Sequence, residues 1–185
     1  DVKAVEYYLR DKLDQLGLTA IAELTHFAAT SEDVNNLSYA LMLRRSVTEV
    51  WRPAIQAVYD ELVSRATQWR SVPMLARTHG QAATPTTFGK ELAVFAHRLS
   101  GVLGRIDVSD YPGKFNGATG TYSAHVAAWP DADWPAISRE FVEGLGLRWN
   151  PLTTQIESHD GQVALFQMLQ HTGRIAHNLC TAIWT

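Results

Sequence analysis

The sequence predicts an all-α protein, a bundle of long helices. Apolar residues recur at steps of three and four through most of the chain, the period of a helix that buries one face. No stretch sustains the two-residue alternation of a half-buried strand. The longest periodic runs are also apolar over more than one face, as helices with several helical neighbours are.

Each element follows from its own stretch. Val2, Val5, Leu9, Leu13 and Leu16 form a first stripe that stops at Gly17. After ATSEDVNN a longer run carries Leu37, Leu41, Val47, Val50, Ala54, Val58, Leu62, Ala66 and Trp69. Ser31 is placed to cap it, with Glu32 and Asp33 in a first turn where the helix dipole favours acids. Pro53 interrupts this run and is expected to kink it, since the stripe resumes in phase. Thr84 and Pro85 read as the cap and first residue of the next helix, whose buried stripe is Phe88, Leu92, Phe95, Leu99, Leu103 and Ile106. A Gly- and Pro-rich loop is expected from Ser109 to about Pro130, then a short helix with Ile137, Phe141 and Leu145, closed by Gly146. The last pattern starts at Asp160 and places Leu165, Leu169, Ala176, Leu179 and Ile183 on one side, with Val163 and Phe166 beside them.

Composition narrows the function classes. With 185 residues and 46% apolar content the chain can bury a real core, and one domain is the default. A net charge of −3 with scattered Lys and Arg argues against a nucleic-acid footprint or a basic membrane-binding face. The single cysteine, Cys180, cannot form an internal disulfide, which fits a reducing compartment. No run is long and apolar enough to span a bilayer, and no basic-then-apolar leader opens the chain, so a cytoplasmic protein is expected. The chain stops at AIWT in mid-pattern, and its greasy helices ask for more neighbours than it supplies; both predict a piece of a larger, oligomeric bundle.

Three joints are unusually polar: T-S-E-D at 30–33, R-T-H-G-Q at 77–81 and T-T-Q-I-E-S-H-D at 153–160. A Thr-Ser pair at a helix N-terminus offers free N–H groups and a dipole to an anion. Taken singly, Ser31 reads as an N-cap, His79 as a loop residue and Gln155 as a surface or capping residue. The seven histidines lack the His-Glu-x-x-His type of spacing, so neither a metal nor another cofactor is expected. His171 and His177 read as structural residues. GATGTY at 117–122 lacks the strand-before, helix-after setting of a dinucleotide loop. Trp129 and Trp134 flank Pro130 and read as packing.

Read together, DVKAVEYYL, HFAATSEDVNNLSYALML, RTHGQAATPTTFGKE, KFNGATGTYSAH and WNPLTTQIESHD resemble the fumarase/aspartase superfamily, and within it the adenylosuccinate lyases of bacterial purine synthesis. The stretches span nearly the whole chain, in order. WNPLTTQIESHD favours these over the argininosuccinate lyases and fumarases, the alternatives within the superfamily. A further alternative, from another class, is an oligomerising helical core without activity of its own. One departure stands near the site: an alanine, Ala83 or its neighbour, replaces the proline of the family's G-Q-P-A-T-P.

The resemblance implies a long-helix fold, with residues 1–20 ending an N-terminal helical domain and 21–185 forming part of the central bundle. It implies a homotetramer whose active sites are shared between subunits, and small-molecule substrates, adenylosuccinate and SAICAR, split into fumarate plus AMP or AICAR. The family's general acid falls on His79 and its substrate-binding Thr-Ser on Thr30 and Ser31. Gln155 matches the Gln of T-T-Q-I-E, and Asp1 the last residue of a binding motif whose histidine precedes it. The serine base, carried on a Ser-Ser-x-Met-Pro-x-Lys-x-Asn-Pro loop, falls beyond Thr185, so the isolated chain is expected to release no fumarate.

That chemistry suits the residue types. Proton removal beside a carboxylate builds negative charge, which Thr30, Ser31 and Thr78 are suited to stabilise as donors. The leaving nitrogen then needs a proton, and imidazole, with an ordinary pKa of about 6.5, is a natural donor near neutral pH. His125 stands second as a candidate donor.

Overall fold

The structure, a computed structural model, describes residues 2–184. They form two compact units, one of Asp1–Arg44 with Asp110–His159, the other of Arg45–Ser109 with Asp160–Thr185. The all-α expectation holds, with two short β pairs added.

In the first unit, α1 (Val2–Gln15) is followed by a 3-10 stretch, Thr19–His26, and by α2, which begins at Ser31 and ends at Arg45. Gly17, at φ +73°, supplies the left-handed turn that stops α1. The expected stripe on α1 is not its buried face. Val5, Leu9 and Leu16 are exposed and Glu6 is buried, meeting Lys3 at 2.9 Å and Arg10 at 3.2 Å. Leu37, Ala40, Val142 and Leu147 make the core, with Leu41, Tyr111, Phe115, Leu145 and Trp149 packed on it.

The expected loop from Ser109 to Pro130 is more ordered than composition suggests. It holds β3 (Pro112–Gly113) and α5 (Ser123–Ala128). The next helix, α6 (Trp134–Gly144), is capped by the Asp133 carboxylate, which accepts from the Ala136 N–H. A two-residue strand, β4 (Arg148–Trp149), then pairs in parallel with β3. Gly113 packs tightly there: a Cβ would come within 2.6 Å of Leu37 Cδ2, which would have to shift. On α6 the buried face is Trp134, Ser138 and Val142, while Ile137 and Phe141 are exposed. The stripe is thus rotated one residue from the expected one. Ser138 can sit inside because its hydroxyl donates to the Phe115 carbonyl.

The second unit opens on a π-helical turn, Ser46–Trp51, that runs into α3 (Arg52–Gln68) with helical backbone angles throughout. Pro53 lacks the N–H that would bond back one turn, and the wider π turn before it is how the chain absorbs that loss. The run does continue past Pro53, as expected. It leads through β1 (Pro73–Thr78) and β2 (Gln81–Thr87) to α4 (Phe88–Asp107) and finally α7 (Asp160–Trp184). Helices α3 and α4 run antiparallel: Arg52 meets Asp107 at 2.7 Å at one end, and Trp69 stacks near Phe88 at 5.1 Å at the other. They pack tightly at Gly89, where a Cβ would strike the Ala66 carbonyl oxygen and lie 2.7 Å from the Arg70 backbone. Helix α7 lies antiparallel on α4, with Arg98 reaching Asn178 at 3.1 Å and Arg105 reaching His171 at 2.9 Å.

The stripe on α4 follows the expected one at Leu92, Leu99, Leu103 and Ile106, with Ala96 and Val102 added, while Phe88 and Phe95 are only half-buried. On α7 the buried positions are Leu165, Thr172 and Ile175. Ile183, Val163 and Phe166 are exposed, as are Val50 and Val58 on the other long run.

Candidate active site

His79 sits in a β-hairpin rather than in the irregular loop that its sequence predicts. β1 and β2 pair antiparallel, with Thr78 opposite Gln81, so His79 and Gly80 alone make the turn. Both have positive φ, +53° and +73°, which defines the type I′ turn that two-residue hairpins prefer. Histidine is one of the few non-glycine residues that tolerate this region. The register slips between Leu75 and Arg77, where Ala83 and Thr84 of β2 face Ala76 alone. This bulge accommodates the run into Pro85, which has no N–H to give a ladder. Thr84 and Pro85 therefore belong to β2. The cap of α4 is Thr87, whose side chain accepts from the Lys90 N–H. Thr78 and His79 are both exposed at the hairpin tip.

The Thr-Ser joint lies in the other unit. Helix α2 begins at Ser31, so Thr30 precedes it and Ser31 is its first residue rather than its cap. The Thr30 N–H donates to Asp33 Oδ2 at 2.9 Å, and the Asp33 N–H returns to the Thr30 carbonyl at 3.0 Å. The Asp33 carboxylate thus makes the side-chain half of a capping box, with Asp in place of Glu, while its own N–H meets the Thr30 carbonyl rather than the hydroxyl. Ser31 is exposed in the first turn.

Sequence reasoning missed what stands behind that turn. Asp33 is fully buried, and so is Lys114, whose Nζ lies 2.8 Å from Asp33 Oδ1 and 3.2 Å from the Gly117 carbonyl. Asp33 also accepts from the N–H groups of Asn116 at 3.1 Å and Gly117 at 3.1 Å. Asn36 bonds both sides of the Lys114 backbone, accepting its N–H at 2.8 Å and donating to its carbonyl at 3.0 Å. A buried carboxylate is tolerable only when charge and lone pairs are both answered, and here they are. The acid read as a dipole partner is the hub of the unit.

Gln155 is exposed on a loop that rests on this hub. Asn116 donates to Thr153 Oγ1 at 2.7 Å, and Gly120, at φ +74°, lies so close that a Cβ would strike the Thr153 carbonyl oxygen. Buried Glu157 holds the loop's far end, accepting from Asn150 at 2.9 Å and from the His159 N–H at 2.6 Å. Asp1, the remaining candidate, lies outside the described residues.

His125 is buried against Phe115, Tyr122 and Trp134, with ring centroids 4.8–5.6 Å away. Neither ring nitrogen has a hydrogen-bond partner. Burial pushes its pKa down; Asp33 pulls the other way, and Lys114 reinforces the fall. A sealed, neutral imidazole is poorly placed to meet a substrate from solvent. Among the described residues no three His, Cys, Asp or Glu side chains converge as a metal site requires. No helix among them is long and apolar enough to cross a membrane.

Strain marks the same places. Among the described residues the non-glycine ones with left-handed backbone are Ala28, His79, Tyr122 and His159, and each falls in one of the five stretches that carry the resemblance. Such residues cost about 1–3 kcal/mol and collect at functional sites.

Comparison with solved structures places the fold in a known class. The chain is similar to a fumarate lyase from Mesorhizobium sp. BNC1, with a TM-score of 0.75 at 24% identity over 95% of this chain and 44% of that one. It is also similar to the β-carboxy-cis,cis-muconate cycloisomerase of Acinetobacter calcoaceticus sp. ADP1, with a TM-score of 0.74 at 24% identity over 97% and 41%. At that identity the likeness shows fold alone. The family itself is shown by sequence: the model described as lyase matches residues 1–183, and the chain belongs to that family. Within it, the adenylosuccinate lyase of Escherichia coli K12 is 46% identical over the whole chain and that of Haemophilus influenzae 44%. The chain spans 41% of the length of each of these relatives. The resemblance read from the motifs is borne out.

Proposed function

We propose that the full-length protein carrying this segment is an adenylosuccinate lyase. It eliminates fumarate from adenylosuccinate to give AMP, and from SAICAR to give AICAR, without a cofactor. The observation that carries this reading is the 46% identity to the Escherichia coli enzyme over the whole of this chain.

A serine outside this chain takes the proton from the carbon beside a carboxylate, and the electron pair spreads into that carboxylate. Thr30, Ser31 and Thr78, with the open N-terminus of α2, bind and offset the developing charge, and Gln155 and Asp1 hold the substrate. The carbanion's pair then forms the carbon–carbon double bond of fumarate as the carbon–nitrogen bond breaks, the pair of that bond goes to the nitrogen, and His79 supplies the proton. The type I′ turn supports that role, because it fixes the direction in which the His79 side chain leaves the backbone while leaving it open to solvent. Thr78 and His79 lie in one compact unit and Thr30, Ser31 and Gln155 in the other. Sites shared between subunits of a homotetramer are consistent with such a division, and the exposed Val50, Val58, Val163, Phe166 and Ile183 suit helix contacts between copies. Residues 1–20 end an N-terminal helical domain and 21–185 belong to the central bundle. The enzyme is cytoplasmic.

The test is His79→Gln in the full-length enzyme. Glutamine keeps a hydrogen-bonding reach but cannot act as an acid, so turnover should fall roughly 10²–10⁴-fold, the usual scale for losing such a group. KM should move far less. Near-normal turnover at neutral pH would remove His79 from the role. A parallel product assay offering adenylosuccinate, argininosuccinate and malate separates the purine enzyme from its relatives.

A further inference from the structure

We propose that Asp33 is a positioning residue for substrate binding: its carboxylate, with Lys114, holds the Thr30–Ser31 turn and the seat of the Gln155 loop in one preset arrangement. The proposal rests on the reading above that Thr30, Ser31 and Gln155 touch substrate.

All its parts lie in one compact unit. Oδ2 of Asp33 accepts from the Thr30 N–H and so sets the entry to α2. Both of its oxygens meet the Gly117 N–H, at 3.3 and 3.1 Å, and Oδ1 accepts from the Asn116 N–H. Asn116 in turn donates through its side chain to Thr153, two residues ahead of Gln155. Thr153 passes the connection on, its hydroxyl donating to the Thr154 carbonyl at 2.9 Å. One carboxylate therefore joins two segments that lie more than a hundred residues apart in sequence, and no apolar side chain could do this. Four donors converge on it: three backbone N–H groups and one ammonium. A carboxylate has lone pairs enough for all of them, whereas an amide offers one acceptor oxygen and two donors of its own.

Lys114 answers a second need. An unpaired carboxylate beside a helix N-terminus that is to receive an anion would repel it. With Lys114 fully buried at 2.8 Å the pair is neutral overall, and the first-turn N–H groups stay attractive to a carboxylate. Presetting matters because ordering a loop during binding costs affinity.

The experiment uses the full-length lyase. Lys114→Met alone strands a buried charge and should lower the melting temperature. Asp33→Asn combined with Lys114→Met removes the charge and should recover most of that loss, since a buried ion pair can often be replaced at small net cost. Its KM for adenylosuccinate should nevertheless stay up by about ten-fold or more, with kcat within about three-fold, because the asparagine cannot satisfy the donors that set both segments. A merely structural role predicts that KM returns as stability returns, and a wild-type KM in the stable double variant overturns the proposal. Should the double variant not fold, Asn116→Ala removes only the bond to Thr153 and is expected to raise KM about three-fold at nearly unchanged melting temperature; unchanged KM there overturns the proposal equally. Ser31→Ala and Gln155→Ala serve as direct controls. If neither raises KM, the substrate-contact reading falls and takes the proposal with it. If they raise KM and the Asp33 variants do not, only the proposal falls.

Discussion

The two units hold their candidate residues in different ways. In the first, Thr30 and the Gln155 loop are tied to a buried ionic hub, and Asp33, Asn36, Lys114, Asn116 and Glu157 are all nearly without solvent exposure. In the second, His79 rides on a two-residue turn whose geometry is local. The long-range ion pair there, Arg52 with Asp107, is partly exposed, and each partner's charged form is favoured chiefly by its hydrogen bond to the other. Candidate residues drawn from distant segments need a buried connector, while a single candidate at a hairpin tip needs only a stiff turn.

The contrast can be broken at the hub first. Lys114→Met leaves the Asp33 carboxylate buried and uncompensated, which typically costs about 3–5 kcal/mol. Chemical denaturation of the full-length protein should register that loss, and added salt should not mimic it, because buried pairs are little screened. A loss no larger than that of a surface pair would mean that the hub is open to water.

Gly89→Ala attacks the second unit where α3 and α4 touch. The added methyl meets backbone of Ala66 and Arg70 that cannot rotate away, so the helices must part, at a cost of roughly 1–3 kcal/mol. The same substitution at Gly101, which faces open space on the same helix, should be neutral or stabilising in a thermal melt.

The smallest effect is a pH dependence confined to the first unit. His125 is neutral in its aromatic cage with a depressed pKa, so the unfolded chain takes up its proton at a higher pH than the folded one. Stability from this group is complete above the unfolded value of about 6.5 and is lost as pH falls from there toward the folded pKa. The slope is at most about 1.4 kcal/mol per pH unit. His125→Phe should flatten the acid limb of the denaturation profile between pH 6.5 and the folded pKa; an unchanged limb would show that the ring is reached by water.

Much of this molecule was legible in its sequence. Helix period, the stripe on α4, the stop at Gly17 and the polar motifs at 30, 77 and 153 are local signals, because they depend on spacing within a few turns or on a turn's own chemistry. The hairpin at 73–87 was not legible. It is only two strands with a bulge and a proline, so alternation never builds, and the T-H-G turn does not carry the Asn-Gly or Asp-Gly signature that marks a type I′ loop. Which face of α1 and α6 is buried also lay beyond the sequence, since Glu6 and Ser138 are polar and become buried only through partners: Lys3 and Arg10 nearby, the Phe115 carbonyl some twenty residues away. The Asp33–Lys114 pair is the clearest case. A single acid in a helix's first turn reads as dipole compensation, and nothing local distinguishes it from a hub. Eighty residues separate it from its cation, and only the tertiary structure brings the two charges together in a place dry enough for each to require the other.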